Sequence, residues 1–292
     1  MRIAFLIGAL LLCQPEQAGI HAQIEAVARK ARGRVGVSCS APGTTVDCDY
    51  NASEKFPMQS VYKLPIAMAA LDAIEHGKFA LASEVRFLPS DLISPDQRSP
   101  LRDAHPKANV EVRIDELLKL ALVESDGVAS DILLRQVGGP TGADKYIRSL
   151  GIDEIRIANT EKELGRDDGL QYRNYATPRA VVSLLRRLAD DSPLSREHTA
   201  MLLNWMTITE TGPRRLKGKL PNGTVVAHKT GTSGQNRAVT NATNDVGLIS
   251  LPNGKRLAIA VFVVDSSAPE NVREAVIADI AYDVWVSASH QP

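Results

Sequence analysis

A serine and a lysine, Ser60 and Lys63, stand where a polar segment runs into an apolar helical pattern, Phe56-Pro57-Met58-Gln59-Ser60-Val61-Tyr62-Lys63-Leu64. On a helix this i, i+3 spacing puts the hydroxyl and the amine on one face, about one turn apart. A serine hydroxyl is a poor nucleophile at neutral pH until a neighbour takes its proton. A lysine in a partly desolvated pocket can do so, because desolvation favours the neutral amine. The first turn of a helix also leaves backbone N–H groups free to hold a developing oxyanion. Ser-x-x-Lys alone arises by chance about once in a chain of this length, so it carries weight only with what lies downstream.

Three further stretches qualify. Glu124-Ser125-Asp126-Gly127 falls in a short connection between two helical patterns. The dipeptide Ser-Asp recurs at Ser90-Asp91 and Ser130-Asp131, so it is the tight interhelical position that singles out Ser125. His228-Lys229-Thr230-Gly231-Thr232-Ser233-Gly234 lies on or just after a strand pattern. A strand edge offers a row of N–H and C=O groups, and a small residue such as Gly231 would let a ligand lie against it. The lysine and hydroxyls beside that edge suit a carboxylate-bearing substrate. Asn159-Thr160-Glu161-Lys162-Glu163-Leu164-Gly165 is a polar loop with two carboxylates, which by itself reads as solvated surface.

These residues need elements to position them. Ile20 to Arg32 has helical spacing, and Arg34 to Cys39 alternates like a strand that Thr45 to Tyr50 pairs with on its return. The Ser60 helix is expected to run to about His76, with a local kink at Pro65. Residues 80–110 read mostly as loop. Val112–Val123, Val128–Val137 and a segment opened by Pro140 read as helices, as do Thr177–Asp190, with a capping threonine and a proline behind it, and Ser195–Met206. Beyond Met206 strands return at Thr224–Ala227, Gly247–Leu251 and Leu257–Asp265, the last two joined by a Pro252-Asn253-Gly254 turn, and Glu270–Ser287 closes the chain as a helix. The expected architecture is an α/β two-lobe fold: an antiparallel sheet flanked by the N- and C-terminal helices (19–57 and 207–292) and an inserted all-α lobe (58–206), with a cleft between them.

The 292 residues carry 34 basic and 34 acidic side chains, and this neutral balance argues against a nucleic-acid partner. Met1-Arg2, the apolar run Ile3–Leu12 and the small pair Ala18-Gly19 read as a signal peptide over residues 1–18, so the mature protein is expected to be periplasmic or secreted. Cys13 invites a lipid, but the large leucine before it argues against one. Export makes Cys39 and Cys48 a candidate disulfide. A two-residue turn at Gly43-Thr44 would set them opposite each other at a non-hydrogen-bonded position, about 4.5 Å apart between Cα atoms. The six histidines are scattered without ligand spacing, so no metal or cofactor is expected.

Taken jointly, Ser60-Val-Tyr-Lys63, Ser125-Asp-Gly127, Glu161-x-x-Leu164 and Lys229-Thr-Gly231 resemble the class A serine β-lactamases over nearly all the mature chain. Asp167-Asp168 and Gln171-Tyr172 look like an extended-spectrum branch of that class. The resemblance implies a monomer that hydrolyses penicillins or cephalosporins. Ser60 would be acylated, Lys63 would accept or relay its proton, with either Lys63 or Glu161 as the acylation base, and Ser125 would protonate the departing ring nitrogen. Glu161 would activate the deacylating water. Lys229, Thr230, Thr232 and Ser233, with Gly231 and Arg215, would receive the substrate carboxylate. The N–H groups of Ser60 and Thr232 would form the oxyanion hole. Two positions depart from the pattern. Gly127 and Gly165 stand where the class usually has asparagine, which implies weaker positioning of the substrate amide and a deacylation step more dependent on Glu161 alone. Two rival readings remain: a penicillin-binding D-alanyl-D-alanine peptidase, which needs no Glu161, and a non-catalytic β-lactam sensor that stays acylated.

Overall fold

The computed structural model describes residues 19–236 and 239–290, so the expected leader and Cys13 lie outside the described residues. The chain opens with α1 (Ile20–Ala28) and β1 (Arg34–Ser40), then β2 (Phe56–Pro57), a 3-10 turn (Gln59–Tyr62) and α2 (Lys63–Glu75). A hairpin of β3 (Glu84–Phe87) and β4 (Val110–Arg113) encloses α3 (Pro100–Ala104), and α4 (Ile114–Lys119), a π-helical turn (Leu120–Glu124), α5 (Gly127–Gln136) and α6 (Gly139–Ser149) follow. Next come β5 (Ile155–Arg156), α7 (Glu161–Leu164), β6 (Tyr175–Ala176), α8 (Pro178–Asp190) and α9 (Arg196–Ile208). The chain closes with β7 (Val226–Thr232), β8 (Gln235–Asn236), β9 (Val239–Ser250), β10 (Arg256–Ser266) and α10 (Glu270–Ser289).

One antiparallel sheet, ordered β1-β10-β9-β7 with β8 on β9, organises the molecule. The near-continuous apolar run of β10 is explained by cover on both faces. Leu257, Ile259, Val261 and Val263 point to one side, where Ile24, Val27 and Ala28 of α1 and Val276, Ile277, Ile280 and Val284 of α10 close over them. Ala258, Ala260, Phe262 and Val264 point to the other side, into a core shared with α2, α5, α8 and α9. The two-lobe α/β architecture expected from the sequence is therefore present. The Pro252–Gly254 turn also forms as expected, with Gly254 at φ +79° and Arg256 paired to Ser250. Thr177 caps α8 through its side chain, accepting from the Ala180 N–H.

Several expectations are corrected. Thr45 to Asp49 forms no strand; among the described residues the returning segment pairs its backbone with β1 at a single Val37–Tyr50 bridge. The Cys39–Cys48 disulfide is nonetheless formed, with Cα atoms 5.9 Å apart. Val37 and Tyr50 exchange both backbone hydrogen bonds, at 2.7 and 3.0 Å. By alternation, Cys39 and Cys48 thus fall on the hydrogen-bonded rather than the narrow parity, which suits the wider separation. Residues 80–110 hold β3 and α3, and Val110–Arg113 is a strand paired to β3 rather than the start of a helix, because β4 aligns Val112 with Val85. No kink is needed at Pro65. The α-helix begins at Lys63, so Pro65 sits in the first turn, where its missing N–H would have had no helical partner.

Candidate active site

Ser60 lies on the 3-10 turn ahead of α2, where side chains three residues apart eclipse. That geometry brings Lys63 Nζ to 2.9 Å from Ser60 Oγ. The turn is held from two sides. Asn244 Nδ2 on β9 donates to the carbonyls of Pro57 (2.9 Å) and Met58 (3.2 Å). Gly231 on β7 faces the same turn: a Cβ there would lie 2.4 Å from the Met58 carbonyl oxygen. The expectation that Gly231 clears room for a ligand is thus revised, since the close approach it permits is between β7 and the nucleophile's own turn.

Ser125 closes the π-helical turn in the left-handed region, at φ 58°. Such a conformation costs a non-glycine residue on the order of 1 kcal/mol, and Asp126 supplies the restraint. Its buried carboxylate accepts from Ser99 Oγ (2.8 Å) and the N–H groups of Leu101 (2.7 Å) and Ala129 (2.8 Å), which caps α5 and ties it to the 99–101 segment. Ser125 is thereby set between two amines. Its carbonyl accepts from Lys63 Nζ at 2.8 Å, and its Oγ accepts from Lys229 Nζ at 2.9 Å. Lys229, fully buried on β7, also donates to the Thr230 carbonyl at 3.0 Å.

Glu161 opens α7 and completes the cluster, its Oε1 2.7 Å from Lys63 Nζ. Burial alone would push this carboxyl up; the Lys63 ammonium outweighs it and holds the carboxyl below the usual carboxylate range. The Lys229 amine is pushed well below the usual lysine value, chiefly by burial and then by the neighbouring Lys63 charge. Arg215, buried, donates to Thr232 Oγ1 (2.8 Å) and the Asn244 carbonyl (3.0 Å) and pairs with Glu274. Thr230 Oγ1 donates to Thr211 at 2.8 Å. Ser60, Lys63, Ser125, Glu161, Arg215, Thr230, Thr232 and Ser233 line one cleft of about 480 Å³. Gly127 stands behind it, where an added Cβ would meet Ile93 Cδ1 at 2.6 Å and Glu161 Cγ at 3.4 Å. Among the described residues no cluster of histidine, cysteine and carboxylate side chains could hold a metal ion.

Sequence reasoning passed over three residues that shape this cleft: Asn244, Gln97 and Asp131. Asp131 belongs to one of the repeated Ser-Asp dipeptides set aside as uninformative. Its carboxyl accepts the N–H groups of Glu161 (2.8 Å) and Lys162 (2.9 Å) and so fixes the start of α7. Burial, and then the Glu161 charge, push it up to about 7. Between the unfolded value of about 3.9 and this folded value, the native state binds more protons than the unfolded chain. Stability therefore falls as pH rises through that window and levels off above it. In Asp131→Asn that loss should be absent: melting temperatures at pH 5 and pH 8 should differ by several degrees less than in the parent, roughly the shift that about 1–2 kcal/mol gives a domain this size.

The family model described as the β-lactamase enzyme family matches residues 19–287. An extended-spectrum β-lactamase of Pseudomonas aeruginosa, PER-1, is 40% identical over 263 residues, covering 90% of this chain and 85% of its own. The crystal structure of the TLA-1 extended-spectrum β-lactamase superposes with a TM-score of 0.89 at 41% identity, over 92% of this chain and 98% of that one. A class A β-lactamase of Bacteroides cellulosilyticus superposes at 0.84 with 33% identity, over 94% and 99%.

Proposed function

The chain belongs to the β-lactamase family, in class A and resembling its extended-spectrum branch, and from that premise we propose that it hydrolyses penicillins and cephalosporins through an acyl-enzyme on Ser60. Ser60 Oγ attacks the lactam carbonyl carbon. Its proton leaves along Lys63 Nζ and, beyond it, Glu161 Oε1. The C–N bond of the tetrahedral adduct breaks, and the ring nitrogen takes a proton from Ser125 Oγ, which Lys229 replenishes. The proton taken from Ser60 returns from the Lys63–Glu161 pair to make good the one Lys229 gave up, which leaves Glu161 ionised; Glu161 then accepts a proton from water as that water attacks the ester, and this proton passes through Lys63 to Ser60 Oγ as the ester C–O bond breaks. The N–H groups of Ser60 and Thr232 hold the oxyanion in both halves. Lys229, Thr230, Thr232, Ser233 and Arg215 receive the substrate carboxylate, with Gly231 packed on the nucleophile's turn and Gly127 behind the cleft.

The observation that carries this reading is the convergence of two amines on the reacting groups: Lys63 Nζ meets Ser60 Oγ, Glu161 Oε1 and the Ser125 carbonyl, and Lys229 Nζ meets Ser125 Oγ, every contact 2.7–2.9 Å. The Lys63–Glu161 contact favours a hydrolase over a peptidase or a sensor, because neither rival has a task for that carboxylate. We place the chemistry between the lobes 19–57 with 207–292 and 58–206. We read the mature protein as an exported monomer, periplasmic or secreted. The disulfide supports export.

The test is turnover of a chromogenic cephalosporin. Hundreds of equivalents should be consumed per enzyme, with Ser60→Ala inactive and unlabelled by intact mass. A stoichiometric burst that then stops would identify a peptidase or sensor instead.

A further inference from the structure

We propose that Gln97 is a positioning residue for deacylation, holding Glu161 from the facing loop with a carboxamide that position 165 cannot supply; this rests on the role given to Glu161 above. Gln97 Nε2 donates to the Glu161 carbonyl at 2.6 Å and lies 3.3 Å from its Oε2. Lys63 holds the other carboxylate oxygen, Oε1. The carboxylate is thus gripped from opposite sides, which fixes its rotation as well as its place. The amide cannot be turned the other way without loss, because Gln97 Oε1 accepts the Ser94 N–H at 3.2 Å.

The loop that carries Gln97 is itself anchored. Arg102 Nη1 donates to the carbonyls of Ser94 (2.5 Å) and Gln97 (2.7 Å). Asp126 binds Ser99 and Leu101 one turn further on. A side chain on so restrained a segment can set the geometry of a partner across the cleft mouth, and small displacements of a reacting group are costly in rate.

Gly165 is the complement of this arrangement. Its φ is −72°, open to any residue, so the glycine is not there for its conformation. It is there for room: an added Cβ would lie 2.2 Å from Gln97 Oε1 and 2.6 Å from Gln97 Cδ. Glutamine at 97 and glycine at 165 are therefore a matched pair. The carboxamide beside Glu161 comes from position 97, and a side chain at 165 would push it out of that place.

The experiment is a cycle of Gln97→Ala, Gly165→Asn and their combination, read by steady-state kinetics and by intact mass after acid quench. Gln97→Ala should lower kcat by roughly tenfold or more while kcat/KM stays within about threefold, with a rising fraction of acyl-enzyme, the pattern of a slowed second half-reaction. Gly165→Asn alone should also lose kcat, because it collides with Gln97. The double variant should recover to within about threefold of the parent, a coupling of opposite sign to simple damage. Equal falls in kcat and kcat/KM without adduct, or a double variant no better than Gln97→Ala, would mean a merely structural glutamine and overturn the proposal. Glu161→Gln, run alongside, separates the two levels. If it traps no adduct, the role of Glu161 falls; if it does trap one while Gln97→Ala deacylates at the parent rate, only the role of Gln97 falls.

Discussion

Glu161→Gln should take up substrate and fail to release it. The substitution keeps the side chain's shape, and its remaining oxygen can still accept from Lys63, which now sits 2.7 Å away. What is lost is the ability to take a proton from water. General-base assistance is worth about 10²–10⁴-fold, so kcat should fall by about 10³-fold. Acylation runs through Ser60 and Lys63 and should be slowed far less. Intact mass after brief mixing with a penicillin should then show near-complete conversion to a species heavier by the opened substrate, stable for minutes. If the variant shows no adduct while turnover is lost, Glu161 acts before acylation and not after it. The parent enzyme supplies a companion readout. The Lys63 ammonium keeps Glu161 ionised against the upward pull of burial, so the acid limb of kcat should lie below the ordinary glutamate value of about 4.3.

The chemistry of this cleft was legible in the sequence wherever it depends on residue type at short range. Ser60 and Lys63 are one turn apart, Ser125 follows directly on a helix end, and Lys229 sits in a run with strand character. Local rules also placed α8, through its Thr177 cap and the proline behind it, and the β9–β10 turn, through Asn253-Gly254. What sequence did not disclose are the partners supplied from far along the chain. Gln97 reaches Glu161 across 64 positions, and Asn244 reaches Pro57 across 187. Asp131 looked like the second half of an uninformative dipeptide until folding set it under the N–H groups of α7. Gly231 shows the converse difficulty. The sequence says that space is needed there, but not whether a ligand or the neighbouring turn occupies it. The missed strands have the same origin, because β3 and β4 are short and find their register only in each other.

Lys63→Met should do the opposite of the glutamate variant: it should abolish turnover and leave Ser60 unmodified. The amine is 1% exposed and has acceptors on three sides, Ser60 Oγ, the Ser125 carbonyl and Glu161 Oε1. Whichever end of the Ser60–Lys63–Glu161 path finally holds the proton, the direct route from the hydroxyl passes through this nitrogen. Methionine fills similar volume and offers no such passage, so acylation should slow by about 10³-fold or more, within the range attributed to positioned acid–base groups, and mass spectra taken over the same minutes should show unlabelled enzyme. An adduct forming at the parent rate would remove Lys63 from the proton path. The same variant has a signature in stability. Without the ammonium, burial, the largest influence on Glu161, is opposed only by the Tyr62 hydrogen bond and the Lys229 charge, and its carboxyl should rise above the unfolded value. The native state then binds a proton that the unfolded chain releases, so stability must fall as pH climbs through the raised value. In the parent the carboxyl is depressed, and its contribution runs the other way, lost only on acidification. Melting curves at pH 5 and pH 8 should therefore show Lys63→Met losing ground to the parent chiefly at the higher pH, where the buried carboxylate is charged and has no cation beside it.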